Sequence, residues 1–296
     1  MTTRRPRLTS MAVIAAVGAL VTLFCLPAPQ AQAFDSPTHD RIVHDALAPD
    51  DVNALAMAQI LNGPPPGGGA VGSDAFPSDT FRHLDNAANP GDLCARAQQA
   101  WNVFSPSLFD GAQPAGPGYT VLANGPAARS AFGGLAHAVE DFYSHSNWVE
   151  LNIAAGQPET PGPQLFPTCD PASMPADLHT GYFSLIYGPG GCPFGGPPPG
   201  FQECHSTLNK DSAFTARGKT PVPGTSMTEY DLAVSLATQA TGQLYEQIRA
   251  MVVDSVSAAH PDADAECVAH KLFDAGLTPC TKNNPVGPVG WSPFGG

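Results

Sequence analysis

Apolar residues recur at helical spacing along most of this chain, and the clearest case lies in its last third. Between Ser226 and about Val256, apolar side chains return every four residues, which places them on one helix face. Ser226 and Glu229 have the spacing of a capping box, so we predict that this helix begins there. The apolar stripe consists of Leu232, Leu236, Ala240, Leu244, Ile248 and Val252.

Other segments combine this spacing with helix start or stop signals. Ser36 and Pro37 are typical N-cap and first-turn residues, and Gly276 is a typical stop. No alternating strand pair and no internal repeat is visible. The sequence therefore predicts an all-α fold, a compact multi-helix single domain with long loops. The remaining predicted helices cover residues 36–47, 49–61, 92–104, 126–145 and 261–275.

Glycine and proline dominate two internal segments, residues 63–72 and 188–200. Such composition is typical of loops or flexible insertions rather than strands. We predict one helical, metal-binding domain over residues 34–280, interrupted by these two insertions. A flexible tail would follow at residues 281–296.

The first 33 residues have the pattern of an export signal. The arginine pair Arg4-Arg5 precedes an apolar run at residues 11–26, and Ala31-Gln32-Ala33 is a small-residue cleavage site. The run is short for a membrane span. We expect cleavage after Ala33, a secreted protein without a transmembrane span, and a mature chain that begins at Phe34. The arginine pair also suggests twin-arginine export.

Charge narrows the range of partners. Three of the 13 basic side chains lie in the predicted leader, so the remaining ten face 26 acidic ones, a formal net charge of −16. Such a surface repels phosphate backbones, which disfavours ordinary nucleic-acid binding without excluding it. Bound divalent cations would change the sign of the charge locally.

An even number of cysteines remains after the predicted cleavage. In an exported chain this favours disulfides over metal-binding thiolates. Proximity suggests that Cys192 pairs with Cys204 and Cys267 with Cys280. The six are Cys94, Cys169, Cys192, Cys204, Cys267 and Cys280.

The stretch HAVEDFYSHSNWVE carries the most distinctive chemistry. His137, Asp141 and His145 are spaced four residues apart and share one helix face. Eight residues of helix separate the two histidines by roughly 12 Å, too far to bind the same ion. A carboxylate has two oxygens, so Asp141 would bridge two neighbouring ions, one with each histidine. We expect the adjacent Glu140 to point to another face.

Short His/Asp clusters also occur at residues 34–45, 78–86 and 204–212. In the first of these, cleavage after Ala33 would place the α-amine of Phe34 five residues before His39. An α-amine titrates near neutrality, so it can act as a neutral nitrogen ligand. On its own, His39 would instead be a surface histidine near a helix start.

These features together resemble the zinc-dependent phospholipase C and single-strand nuclease superfamily. More narrowly, GGLAHAVEDFYSHSNWVELN with the later NKDS and YDLAVSLATQAT resembles the Het-C type branch, also found beside von Willebrand A domains. The resemblance covers most of Phe34–Met251, without the Gly/Pro segments. It implies an all-helical fold and up to three zinc ions that activate water to hydrolyse phosphodiester bonds.

Carried over position by position, the resemblance assigns ligands to three ions. Phe34 and His39 would hold the first. His83, His137 and Asp141 would hold the second, with Asp141 bridging. His145 and His205 would hold the third. These side chains also suit manganese or iron.

The chain departs from the family pattern in three places. The acid expected well before His83 is missing, so Asp74, Asp79 or Asp85 must substitute, and we take Asp85 with Asp141 as the candidate catalytic residues. The closing His-x-x-x-acid pair is replaced by His205 followed by Asp211, which we include as a metal ligand. Tyr230 stands where related Het-C sequences would have histidine.

The sequence therefore leaves three functions open. The first is a secreted, monomeric zinc-dependent phosphoesterase that acts on phospholipid headgroups. The second is a single-strand nuclease. The third is a non-catalytic secreted module of the Het-C type, stabilised by metal or disulfides. Lys210 would bind a substrate phosphate or form an ordinary salt bridge.

Overall fold

The computed structural model describes residues 34–50, 52–188 and 191–282. The expected export signal, its cleavage site and residues 283–296 of the predicted tail lie outside the described residues. Within them the protein is all-α, with nine α helices and one two-stranded antiparallel sheet. The helices are α1 (Ser36–Leu47), α2 (Ala54–Asn62), α3 (Gly69–Gly72), α4 (Pro90–Gly111), α5 (Gly125–His145), α6 (Trp148–Ala154), α7 (His205–Leu208), α8 (Glu229–Ala259) and α9 (Ala265–His270). The strands are β1 (Pro114–Ala115) and β2 (Val121–Leu122).

Helix α5 runs through the centre of the fold. Every residue from Ala128 to His145 is buried, because α1 to α4 and α8 pack around it. Two glycines permit this close packing. A Cβ atom on Gly133 would lie 1.9 Å from the Ile60 carbonyl oxygen, and one on Gly134 would lie 2.9 Å from the Phe104 ring. Polar side chains on α5 must therefore find their partners inside the protein.

The predicted N-cap of α8 is wrong by two residues. Thr228 is the N-cap, and it forms the capping box with Asp231 rather than Ser226 with Glu229. The Thr228 backbone N–H donates to Asp231 Oδ2 at 2.9 Å. Both residue pairs satisfy the capping-box spacing, so the sequence offers two equivalent starts.

Other helix ends differ for similar reasons. Helix α2 begins at Ala54 rather than at residue 49, because the Asn53 side chain accepts from the Ala56 backbone N–H and residues 48–50 form a separate 3₁₀ turn. Asn89 caps α4 and Pro90 is its first residue, so this helix begins earlier than predicted and also ends later. Helix α9 is shorter than predicted, since its cap is Asp264.

The Gly/Pro-rich segment 63–72 is packed, not a loose insertion. Ser130 on α5 donates a hydrogen bond to the Pro64 carbonyl at 2.6 Å. A Cβ atom on Gly67 would lie 2.2 Å from the Ser130 carbonyl oxygen, so only glycine permits this approach. The segment ends in α3, whose Ala70 is fully buried. It therefore forms one wall around α5.

Three disulfides join the described residues, and both predicted pairs are present. They are Cys94–Cys169, Cys192–Cys204 and Cys267–Cys280. The first connects α4 to the loop that follows α6. No helix within residues 34–50, 52–188 and 191–282 has both the length and the apolar character that a membrane crossing requires.

Candidate metal centre

Helix α5 carries three functional side chains on one face, as its four-residue spacing predicts. His137, Asp141 and His145 are each fully buried. Side chains from α1, the segment 73–86 and α7 converge on this face. They form three groups whose nitrogen and oxygen atoms lie within 4.8 Å of one another and could hold metal ions.

The first group consists of His39, His137 and Asp141. His39 extends from α1, and its Nε2 lies 3.3 Å from Asp141 Oδ1. Its ring centroid is 4.2 Å from that of His137. Phe34 is fully buried and meets the His39 ring edge-on at 5.7 Å, so the expected mature N-terminal residue packs directly beside this group.

The second group consists of Asp74, His83 and His137, and Asp141 is in contact with it. His83 Nδ1 lies 2.8 Å from Asp141 Oδ2 and 3.0 Å from His137 Nε2, which is itself 2.9 Å from the same carboxylate oxygen. The three atoms form a triangle with sides close to the separation of about 3.3 Å between ligands of one tetrahedral zinc ion.

The hydrogen bonding of His137 explains why this triangle favours a cation. His137 Nδ1 lies 2.7 Å from the Ala70 carbonyl oxygen, which only accepts, so Nδ1 must carry the proton. Burial lowers the pKa of His137, so its imidazole is neutral and Nε2 presents a lone pair. That lone pair faces the Asp141 carboxylate, and a positive charge between them would turn repulsion into attraction. Either a metal ion or a proton on His83 supplies that charge, because burial lowers the pKa of His83 but the hydrogen bond and charge of Asp141 outweigh burial and raise it.

Asp74, rather than Asp79 or Asp85, is the acid beside His83 and His137. Its Oδ1 is 4.0 Å from His137 Nε2, and its Oδ2 accepts from Ser36 at 2.9 Å. Burial raises the pKa of Asp74, and the neighbouring His137 lowers it by less. Asp79 instead pairs with Arg82 at 3.1 Å.

The third group consists of Asp85, His145 and His205. Asp85 Oδ2 is 3.1 Å from His205 Nδ1, and Asp85 Oδ1 is 3.8 Å from His145 Nδ1. Burial lowers the pKa of His205, but the charge and hydrogen bond of Asp85 outweigh burial and raise it to about 9. Asp85 thus supplies the carboxylate of this group.

Asp211 lies on the far side of His145. Its Oδ1 is 2.8 Å from His145 Nε2, and the Ser144 hydroxyl donates to the same oxygen. A carboxylate only accepts, so Nε2 carries a proton, and His145 Nδ1 faces Asp85. Asp211 is therefore placed to orient His145, whereas the sequence suggested it as a ligand.

Glu140 points to another face of α5 than Asp141, as expected, but it still takes part in the site, because it lies behind His39. Its Oε2 lies 2.5 Å from His39 Nδ1, and its Oε1 accepts from Thr241 at 3.0 Å. Burial lowers the pKa of His39, but the hydrogen bonds and charges of Asp141 and Glu140 raise it well above its ordinary value. A metal-binding histidine typically has its second nitrogen held by a carboxylate or carbonyl.

Several atoms of these groups are buried without a hydrogen-bond partner. Such atoms are costly to desolvate unless an ion or water meets them. They include His39 Nε2, Asp141 Oδ1, Asp74 Oδ1, His83 Nε2, His145 Nδ1 and His205 Nε2. Burial alone would raise the pKa of Asp141, but the neighbouring His137 and His145 lower it well below its ordinary range, so this residue is a carboxylate.

Asp141 lies between different partners from those that the helix spacing predicts. Its two oxygens face His39 on one side and His83 with His137 on the other. His145 lies against Asp85 and Asp211. The 21-residue length of α5 separates the groups along its axis, and loops before α4 and around α7 complete them.

Other residues singled out in the sequence have structural contacts. Lys210 is fully buried and forms a salt bridge with Glu150 at 3.0 Å. The Tyr230 hydroxyl lies 3.1 Å from the Thr38 hydroxyl and accepts from Arg41 at 3.0 Å. It therefore joins α8 to α1 near the first group.

Fold and site define an all-α, disulfide-containing protein with buried His/Asp groups that could hold metal ions. A family model described as the VWA7 N-terminal domain matches residues 123–165, which include α5 and α6. No curated protein and no solved structure matches the chain.

Proposed function

We propose that this protein is a secreted zinc-dependent hydrolase of phosphodiester bonds that acts on phospholipid headgroups. The supporting observation is the His137–Asp141–His83 triangle, in which a neutral imidazole lone pair faces a buried carboxylate. Such an arrangement is costly in the absence of a cation.

The donor set fits zinc. Imidazole nitrogens and carboxylate oxygens are its usual ligands, although manganese and iron accept the same set. His137 has only its Nε2 lone pair free and can bind one ion, so either the first ion would be held by His39 and Asp141 and the second by Asp74, His83 and His137, or the first and second groups would share one ion. The third would be held by Asp85, His145 and His205. When bound, neighbouring divalent ions supply hydroxide at neutral pH and neutralise charge on the attacked phosphate.

The chain's own residues prepare this site. Glu140 and the Ala70 carbonyl fix the ring orientations of His39 and His137, and Asp211 does so for His145. Asp141 offers one oxygen to each of two neighbouring groups. Orientation of this kind lowers the reorganisation needed when an ion and a substrate bind.

A decisive experiment measures metal content and turnover together. The purified chain should contain two or three zinc ions, and Asp141→Asn should lose at least one of them. Hydrolysis of short-chain phosphatidylcholine should fall by more than about a hundredfold, since even outer-shell partners commonly contribute 10–100-fold. Asp45→Asn, an exposed acid on α1, is the matched control. Circular dichroism would establish that both variants fold.

Two other outcomes would redirect the proposal. Cleavage of single-stranded DNA, with no cleavage of phosphatidylcholine, would identify a nuclease. Bound zinc without turnover of either substrate would identify a metal-stabilised module. That module is the second candidate, because donors as buried as His39, His137 and His145 are typical of structural metal sites.

A further inference from the structure

An uncharged segment lies beside the third His/Asp group. Residues 178–202 contain no Asp, Glu, Lys or Arg, although the whole chain carries a net charge of −13. Within this segment, residues 184–188 and 191–196 form what we call the apolar loop. Its large side chains face solvent: Leu185 is 51% exposed, Ile186 79% and Phe194 110%. Tyr187 is also exposed.

The base of the apolar loop contacts His145 and His205 of the third group and the residue next to Asp85. The Gly181 backbone N–H donates to the His145 carbonyl at 2.9 Å. Asn86, next to Asp85, exchanges two hydrogen bonds with the Phe183 backbone at 2.6 and 2.9 Å. The Phe183 ring lies 5.2 Å from that of His205. The position of the loop is thus fixed relative to this group.

Covalent and aromatic contacts hold the loop in this place. The Cys192–Cys204 disulfide ties it to the residue immediately before His205. The Tyr182 ring lies 6.5 Å from that of Tyr187 and 4.8 Å from that of Phe201. The exposed apolar side chains therefore project from a fixed base.

We propose that the apolar loop inserts into a zwitterionic lipid surface and holds the third His/Asp group against the headgroups. Separate apolar side chains on turns fit a fluid acyl boundary, whereas a protein partner would have to provide a matching pocket for each one. Uncharged flanks avoid the cost of desolvating ions at the interface. The acidic protein is repelled by anionic lipids, so a zwitterionic surface is the complementary one.

A docked lipid surface would present the phospholipid substrate as part of a membrane, and in this respect the inference rests on the proposed function. Lipid binding itself is separable from turnover, because Ile186 and Phe194 are absent from the three His/Asp groups. The two ideas can therefore fail independently.

The test is flotation of the disulfide-intact chain with phosphatidylcholine vesicles. Ile186→Ser with Phe194→Ser should lower the partition coefficient by about tenfold or more, because two large apolar side chains no longer enter the lipid. The matched control is Leu55→Ser with Leu277→Ser, which removes two other exposed apolar side chains, 57% and 70% accessible, and should change binding by less than about twofold.

Vesicle composition sharpens the result. Vesicles of equal parts phosphatidylcholine and phosphatidylserine should bind less, whereas high salt should not release the chain from phosphatidylcholine. Failure of the wild-type chain to bind phosphatidylcholine, or equal binding by the double variant, would overturn the proposal. A dimer in solution that the double variant abolishes, without vesicle binding, would show instead that the loop mediates self-association.

Turnover assays on the same proteins separate the two hypotheses. If the proposal holds, the double variant retains hydrolysis of monomeric short-chain phosphatidylcholine and loses hydrolysis of vesicles. Vesicle binding without any hydrolysis would reject the proposed function and leave the docking surface intact. Hydrolysis of monomers and vesicles alike by the double variant would reject the docking surface alone.

Discussion

Two clusters of largely buried ionisable side chains lie near the C-terminal end of α5, and their charges are balanced in different ways. In one, which we call the lysine cluster, Lys210 and Arg217 meet Glu150 and Glu229. Lys210 donates to the Ser146 and Leu208 carbonyls and to Glu150, so all three of its N–H donors are used. Arg217 pairs with Glu150 at 2.7 Å and Glu229 at 3.0 Å.

The charges of the other cluster are balanced differently. This cluster, which we call the His/Asp set, consists of the three candidate metal groups with Glu140 and Asp211. Among the described residues, the ion-pair partners of its carboxylates are histidines rather than lysines or arginines. Imidazoles offset carboxylate charge only where they hold a proton, and burial disfavours that proton on His137. Several of these histidine and aspartate atoms also lack hydrogen-bond partners. The carboxylates are Asp74, Asp85, Glu140, Asp141 and Asp211.

The difference distinguishes a cluster of ion pairs that stabilises the fold from a binding site. Buried charges need compensation by opposite charge and hydrogen bonds. The lysine cluster contains two cations and two carboxylates, so its charges balance within the chain, although Glu150 Oε2 and Glu229 Oε2 lack a hydrogen-bond partner. The His/Asp set has an excess of negative charge and inward-facing lone pairs, so it reaches balance only with added cations or protons. Metal binding should therefore affect one cluster and leave the other unchanged.

Breaking the lysine cluster should have the largest effect on stability. Lys210→Met leaves Glu150 buried with only Arg217 as its partner, and breaking a buried ion pair costs about 3–5 kcal/mol. Urea unfolding should show this loss, while metal content per folded chain stays unchanged. A decrease in the free energy of unfolding below about 1 kcal/mol, the range of exposed ion pairs, would mean that the lysine cluster does not stabilise the fold.

Two isosteric substitutions should separate the clusters further. Glu140→Gln weakens the acceptor behind His39, so zinc affinity should fall by about 10–100-fold, as for other outer-shell carboxylates. Glu150→Gln should lower unfolding stability and leave zinc affinity unchanged. Competition with a chromogenic chelator measures affinity and urea unfolding measures stability. Equal effects of both variants on zinc affinity would contradict the distinction.

The sequence predicts the central helix and its functional face well. His137, Asp141 and His145 share a face because four-residue spacing nearly matches the helical repeat, whatever surrounds the helix. The all-α fold follows from the same periodicity. Helix starts are less certain, since Thr228 with Asp231 and Ser226 with Glu229 satisfy the same local rule.

The rest of the site depends on packing that a local pattern does not encode. The choice between Asp74 and Asp85 is set by how residues 73–86 fold over α5, and the positive backbone φ of Leu84 and Asn86 shapes that path. Glu140 lies about 100° around the helix from Asp141, and it reaches His39 only because α1 docks there. The composition of residues 63–72 alone suggested a flexible insertion. In the structure, glycines in this segment permit its close contact with α5.

The smallest predicted effect concerns protons that stand in for metal. Asp85 raises the pKa of His205 to about 9 against the opposing effect of burial, so at neutral pH the metal-free chain carries a proton there. A raised folded-state pKa stabilises the metal-free protein fully below the ordinary value of 6.5, and this contribution is lost as pH rises through about 9. Zinc must displace that proton, so its affinity should increase with pH over the same interval.

Histidine NMR titration of the chelator-treated chain measures this directly. His205 should titrate near the raised value in the metal-free protein and should cease to titrate in this range once zinc is bound. Asp85→Asn should move the pKa of His205 back towards 6.5, since the neutral amide no longer favours the imidazolium. His270, whose pKa is lowered mainly by burial, is the internal control and should be unaffected by zinc or by Asp85→Asn. An unshifted His205 would mean that the third group reaches charge balance in another way, and its assignment as a metal group would then rest on geometry alone.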